Sequence, residues 1–324
     1  MKIAVLGAGA IGGLLAARLA EHGHQTCMLA RGRTLKAISA AGLVINTSTG
    51  MRSIKVRAES DSHQLGTQDL VIIAVKATAL QEVAPLVAPL CGPDTVVISA
   101  MNGVPWWFFA DPSAPYAGLE LHSIDPGGLL SRTIPAQRVV GCVLHLSSAS
   151  PSPGVIQPGT GNRLIFGEAL GGQSERLTRI VTAFSNAGFD ATASAAIRTD
   201  IWYKLWGNMT LNPLSAMTGA TCDRLLDDAL LKSFCLRAMQ EAADIGKRIG
   251  CPLSQSGEER MQLTRQLGAF KTSMLQDAGA GKKLEIDALV GVVHEIGMHI
   301  GIETPFVDSL LGMIRVFAQS HNLN

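Results

Sequence analysis

Charge is in short supply in this sequence. Of 324 residues, 27 are Lys or Arg and 26 are Asp or Glu, a net charge of +1 and a charged fraction of 16%. An average soluble chain carries ~25%. With no basic excess, the chain has nothing to spread along a phosphate backbone, so nucleic acid is excluded as a partner, and there is no acidic tail either. Aromatic residues are only 5%, too few for a platform that stacks single strands. No run of ~18 strongly apolar residues occurs, so no membrane-spanning helix and no membrane partner is expected. The six cysteines, Cys27, Cys91, Cys142, Cys222, Cys235 and Cys251, include no Cys-x-x-Cys pair. A disulfide framework belongs to short secreted chains. Reduced, mostly buried thiols in a cytoplasmic protein are therefore expected.

Apolar residues, by contrast, make up 47%. Such a chain buries a sizeable core, which excludes disorder as its main state. At ~150 residues per domain its length predicts two domains. Sparse charge also leaves surface for extensive interfaces, between domains or between two copies in a homodimer. The start, Lys2 followed by an uncharged run, mimics a signal peptide, but its glycine spacing has a better explanation.

Strand and helix patterns alternate through the first half. Residues 2–6, 25–29, 70–75, 95–99 and 141–147 read as strands, and 11–22 and 78–90 as helices. Hairpins are predicted at 43–46 with 54–58, and at 154–157 with 163–167 around Pro158 and Gly159. Val- and Ile-rich strands separated by helices imply a parallel sheet covered on both faces. Residues 103–138 are irregular, with five prolines and the run Trp106-Trp107-Phe108-Phe109. A stretch that long reads as a functional cover or a subunit contact, with both tryptophans buried. After 195 strand signals vanish, and 198–216, 228–249, 256–270, 284–300 and 306–319 carry helical spacing. The expected fold is an α/β domain over 1–195 followed by an all-helical domain over 196–324.

Gly7-Ala8-Gly9-Ala10-Ile11-Gly12 follows a strand and opens a helix, the setting a dinucleotide fingerprint requires. The first glycine makes the turn, the second admits a pyrophosphate, the third lets helix pack on strand, and free helix amides hold the anion. An NAD site would end the second strand with Asp or Glu. Here the strand runs into Leu29-Ala30-Arg31-Gly32-Arg33. A guanidinium there grips a 2′-phosphate, so NADP (as NADPH) is the expected cofactor. Lys76 and Asn102 fall just past the ends of two further strands, where ligands of open parallel sheets sit.

In the helical half, Lys204, Asn208 and Asn212 recur at i, i+4 and i+8, one stripe of a helix, among Trp202, Leu205, Trp206, Met209 and Leu211. Polar groups in apolar surroundings need partners or a ligand. Pro213 is expected to kink that helix. His294 and His299 are spaced one residue too far for a zinc helix motif, ~140° apart, and no metal is expected.

GAGAIG, VKA and NG, then WYKLWGNMTLNPLSA, TSMLQD and GKKLEID, resemble in this order the 2-dehydropantoate 2-reductases, or ketopantoate reductases. The resemblance covers nearly the whole chain. It implies a Rossmann domain, a helical domain of the 6-phosphogluconate dehydrogenase-like type, a site in the cleft between them, and NADPH-dependent reduction of ketopantoate to pantoate in pantothenate and coenzyme A biosynthesis. It implies Lys204 as the catalytic lysine with Glu285 beside it. Asn208, Asn212 and Ser273 would contact the 2-keto acid, and Gly7 to Gly12, Arg31, Lys76, Asn102 and Ser147 would line the NADP site. The aromatic, proline-rich segment after Gly103 is longer than the family pattern. Two alternatives stay open: reduction of another 2-keto acid, and an NADP-binding sensor without turnover.

Overall fold

The computed structural model describes the whole chain, Met1–Asn324. Residues Met1–Met101 and Gly128–Ile197 form one compact unit, and Asn102–Gly127 with Arg198–Asn324 form the other.

The first unit is built on a ten-stranded sheet. The chain lays down β1 (Lys2–Leu6), α1 (Ala10–Glu21), β2 (Gln25–Leu29), α2 (Gly32–Ala41), the hairpin β3 (Leu43–Thr47) and β4 (Gly50–Ile54), then β5 (Arg57–Glu59) and β6 (Gln68–Ile73). After a broken turn region containing α3 (Leu80–Val83) come β7 (Cys91–Ser99), α4 (Leu129–Thr133), β8 (Val139–Ser152), β9 (Val155–Glu168), α5 (Glu175–Asn186) and β10 (Asp190–Ala193). Strand order is β4-β3-β9-β8-β7-β6-β1-β2-β5, with β10 on β9. The stretch from β8 through β7, β6, β1 and β2 to β5 is parallel, as the Val and Ile runs predict. Its core includes Ile3, Val5, Leu15, Met28, Ile72, Ile98 and Phe166.

Three local expectations give way. The predicted helix over 78–90 is a run of short turns around α3, because Pro85 and Pro89 each remove a helical donor. Pro158 and Gly159 do not turn a hairpin. They lie inside β9, which pairs antiparallel with β8 along its length, and the turn falls at Gly154, whose φ is +77°. Pro158 is tolerated there because the ladder shifts register beside it. The sheet is consequently mixed rather than wholly parallel.

The second unit contains α6 (Ile197–Thr218), α7 (Cys222–Asp227), α8 (Ala229–Arg248), α9 (Gly257–Arg265), α10 (Ser273–Gly279), α11 (Val292–Ile300) and α12 (Pro305–Ser320). A π-helical turn, Asp287–Gly291, leads into α11. The expected helix over 284–300 thus starts two residues late and with a wider turn. The aromatic segment, assigned to the α/β half by the division at 195, packs instead with these helices. Phe108 lies against Trp202, ring centroids 6.1 Å apart, and the Arg198 guanidinium stands over Phe108 and Phe109 at 4.8 and 5.3 Å. The buried Glu295 carboxylate accepts the backbone N–H groups of His122 (2.6 Å) and Ser123 (3.0 Å). Trp106 and Trp107 are both buried. The physical reason is the segment's composition: its apolar side chains find their partners on helices far along the chain. No helix is long and apolar enough to cross a membrane.

Candidate active site

In the first unit the candidate site is made of backbone. β1 ends at Leu6, and Gly7 turns with φ +109°, a conformation disfavoured for any residue with a Cβ. A Cβ on Gly7 would also stand 2.5 Å from the Ala74 carbonyl oxygen, and one on Gly12 would stand 2.0 Å from that of Gly7. α1 can therefore rest on β1 only through glycine. At Gly9 the case is different. It caps α1, and nothing lies within 4 Å of where its Cβ would be. That is open space in front of the first amides of a twelve-residue helix, which fits a pyrophosphate approaching backbone N–H groups.

Arg31 extends beyond β2 as the cap of α2. Its one ion pair, to Glu82 at 4.0 Å, joins two largely exposed groups, so it is weakly held and easily exchanged for a phosphate. The carboxylate of Glu59, on the neighbouring strand, is paired with Arg57. The arginine and the absence of an acid after β2 fit a 2′-phosphorylated dinucleotide. Lys76 follows β6 at the sheet's carboxyl ends. Ser147 does not join this group. It lies six residues past Gly141, the β8 residue level with the end of β7, which is ~20 Å along a strand. Its hydroxyl accepts the Thr160 N–H at 2.8 Å across the hairpin.

In the second unit the candidate site is made of side chains. α6 is 22 residues long with Pro213 inside it. Trp202, Leu205, Trp206 and Met209 are buried, which fixes the helix's rotation and leaves Lys204 and Asn208 half-exposed on one stripe, with Asn212 buried at its end. Trp202 and Trp206 lock that rotation by donating to the carbonyls of Ala242 (3.1 Å) and Met239 (2.7 Å) on α8. Lys204 Nζ donates to Asn102 Oδ1 at 2.8 Å. Asn102, expected among the cofactor contacts, is bonded to the lysine. It is held there by the next two residues. Gly103 (φ +80°) passes so close to Ala288 that a Cβ would be 2.3 Å from its carbonyl oxygen, and Val104 N–H donates to that same oxygen at 3.3 Å. Ala288 lies in the π turn that follows Glu285, which is itself buried. Ser273 is exposed at the start of α10.

One charged group was not foreseen. Arg260 on α9 lays its guanidinium over Gly207, where a Cβ would meet Nη2 at 2.4 Å and Nε at 2.8 Å. It stands 5.4 Å from the Tyr203 ring centroid, donates from Nη1 to Thr264 Oγ1 (3.1 Å), and buries an Nε that has no acceptor. The one sequence signal was a glycine in mid-helix between Lys204 and Asn208. Burial pushes the thiols of Cys27 and Cys222 up to about 11 and that of Cys235 to about 12, which keeps these three as thiols rather than thiolates. Glu295, between the two histidines, is occupied by loop amides.

A glycine-built dinucleotide turn in an α/β unit, together with a helical unit that presents a lysine and asparagines on one stripe, defines the class of two-domain, dinucleotide-dependent oxidoreductases. Family models sharpen this. Residues 3–171 match ketopantoate reductase PanE/ApbA, and residues 196–318 match the ketopantoate reductase PanE/ApbA C terminal region. The chain is 40% identical over 319 residues to a 2-dehydropantoate 2-reductase of Mesorhizobium japonicum, covering 98% of each. It is similar to a crystal structure assigned as a ketopantoate reductase of Ralstonia solanacearum MolK2, at 54% identity and TM-score 0.97, over 100% of this chain and 99% of that one. A PanE/ApbA family ketopantoate reductase of Ralstonia eutropha JMP134 matches at 25% identity and TM-score 0.85, over 99% and 100%. The chain belongs to the ketopantoate reductase family.

Proposed function

We propose that the protein reduces 2-dehydropantoate to pantoate at the expense of NADPH, as a cytoplasmic enzyme of pantothenate and coenzyme A biosynthesis. The observation that carries this reading is the Lys204–Asn102 hydrogen bond on the stripe that also presents Asn208 and Asn212. NADPH, when bound, supplies the hydride. The glycine turn from Gly7 to Gly12 and the guanidinium of Arg31 hold its phosphates, with Lys76 beside them. Lys204 donates a hydrogen bond to the keto oxygen and then its proton as alkoxide charge develops. Asn102 fixes the ammonium by accepting one of its hydrogens. Asn208, Asn212 and Ser273 orient the keto acid without adding charge, Glu285 orients the lysine, and the lysine regains its proton from solvent after product leaves. Because the lysine is already held in place by Asn102, it needs little reorganisation during the reaction.

The test is NADPH oxidation by the purified protein with a panel of 2-oxo acids. 2-Dehydropantoate is expected to give the highest kcat/KM. A different keto acid preferred by an order of magnitude would reassign the substrate, and no turnover with any of them would remove the reductase reading.

A further inference from the structure

We propose that a cavity of about 380 Å³ in the first unit is a second binding site, in which Arg138 and Arg179 receive a small oxyanion ligand, a carboxylate or a phosphate monoester of metabolite size. The proposal does not depend on the reductase reading.

Topology places the cavity. β7 and β8 run parallel to β1, so their amino ends lie at the edge of the sheet opposite the glycine turn. β9 runs the other way, with Glu168 level with Val140. It therefore delivers its own end and the start of α5 to that same edge. The lining comes from these three places: the start of β7, the residues just before β8, and the first turns of α5. The hollow has a local cause, because β7 bulges between Cys91 and Val96 while β6 advances only from Gln68 to Leu70. Pro93, Val96 and Pro135 give it an apolar wall. Its volume falls at the small end of ligand pockets, roughly 300–1,000 Å³.

The arginines that line it are held in different ways. Arg176 is fully engaged: Nε donates to Glu168 Oε1 at 2.9 Å, Nη2 pairs with Oε2, and Nη1 donates to the Gln137 carbonyl at 2.7 Å. It forms a wall. Arg138 is fixed through one nitrogen alone, Nη1, which donates to the carbonyls of Gly92 (2.6 Å) and Pro93 (3.2 Å) in the bulge. Carbonyls orient a guanidinium without neutralising it. Nε and Nη2 of Arg138 bond to nothing in the protein, and neither is sealed from solvent. That pair forms the edge that grips an oxyanion with two parallel hydrogen bonds. Arg179 lies three residues after Arg176, on the same face of α5. It is exposed and makes no ion pair. The acid of the lining is Asp94, also exposed and unpaired. With Arg176 matched by Glu168, two unmatched cations face one acid. That balance suits a ligand with one or two negative charges, whose carbon body rests on the prolines, and not a polyphosphate.

The test follows the melting temperature of the full chain at fixed ionic strength while inorganic phosphate or acetate replaces chloride. Saturating NADP+ is present throughout, to fill the dinucleotide site. A ligand that binds only the folded state raises the melting temperature along a saturating curve, whereas general salt stabilisation keeps rising and is alike in every variant. Wild type is expected to saturate, with phosphate the tighter probe for a phosphate monoester site and acetate for a carboxylate site. Arg138→Gln should weaken the tighter probe about 10- to 100-fold, and Arg179→Glu about 10-fold. Asp94→Asn should tighten it about 2- to 5-fold, the value of an exposed charge pair. Arg179 makes no bond in the fold, so Arg179→Glu carries the test if Arg138→Gln proves unstable. A wild-type curve that never saturates for either probe, or saturation unchanged in Arg179→Glu and Asp94→Asn, would overturn the assignment.

Discussion

Glycine carries most of the candidate site of the first unit, while lysine, asparagine, serine and glutamate carry that of the second. At Gly7 and Gly12 the geometry depends on atoms that are absent: a Cβ would strike a carbonyl oxygen at 2.5 or 2.0 Å. At Lys204 and Asn102 it depends on atoms that are present and 2.8 Å apart. A site made of backbone is spoiled by adding a methyl group, and a site made of side chains by removing one. The glycine turn of the first is also compact in sequence, six consecutive residues, with Arg31 and Lys76 joining it from further along. The second is gathered from four separate stretches, around 102, 204, 273 and 285.

The comparison breaks most severely if the units are cut at the wrong place. A chain ending at 195 keeps Trp107 and Phe108, which are 1% and 0% exposed, but loses the Trp202 and Arg198 they pack on. That fragment is expected to aggregate, whereas the full chain stays monodisperse in size-exclusion chromatography. A well-folded 1–195 fragment would show that the aromatic segment does not need the helices.

Within the first unit, Gly12→Ala should cost ~1–3 kcal/mol of stability, the usual range for overpacking, and should abolish measurable NADPH binding. Gly9→Ala, with nothing within 4 Å of its Cβ, should leave the melting temperature unchanged and weaken NADPH alone. Thermal melts and NADPH titrations of the pair separate packing from ligand approach. Equal melting temperatures would mean that Gly12 is not a packing glycine. Arg31→Ala is expected to weaken NADPH about 10- to 100-fold, the value of a hydrogen bond to a charged group, and to spare NADH. Equal weakening of both would take the 2′-phosphate away from Arg31.

Asn102→Ala is the subtler probe, because sequence reasoning put this residue with the cofactor and the structure puts it on the lysine. It should lower kcat about 10-fold, roughly one hydrogen bond, with the NADPH dissociation constant unmoved. The reverse pattern would return Asn102 to the cofactor.

The two units also differed in how far they could be read from sequence. The strand, turn and helix spanning Lys2–Leu6 and Ala10–Glu21 were legible because the apolar run, the glycine spacing and the helical period that mark them are all local in sequence. The lysine stripe was legible as spacing, although only the family resemblance tied Ser273 and Glu285 to it. The home of the 102–127 segment was not, since its anchors lie far away: His122 and Glu295 are 173 residues apart, and Asn102 and Lys204 are 102 apart. The long pairing of β8 with β9 was missed because Pro158 and Gly159 are ordinary turn residues, and their place inside a shifted ladder depends on the partner strand. Arg260 was passed over because a charge on a short helix usually marks a solvated face, and nothing local announces that Gly207 makes room for it.

The central claim is that chemistry resides in the side-chain site and cofactor affinity in the backbone site. Lys204→Ala tests it most directly, with kcat measured under single-turnover conditions and the NADPH dissociation constant measured on the same preparation. The expected result is a fall in the rate of reduction by ~10²–10⁴-fold, the usual loss of a general acid, with NADPH affinity within error of wild type. A reduction rate within a few-fold of wild type, or a loss explained by weaker NADPH binding, would contradict it.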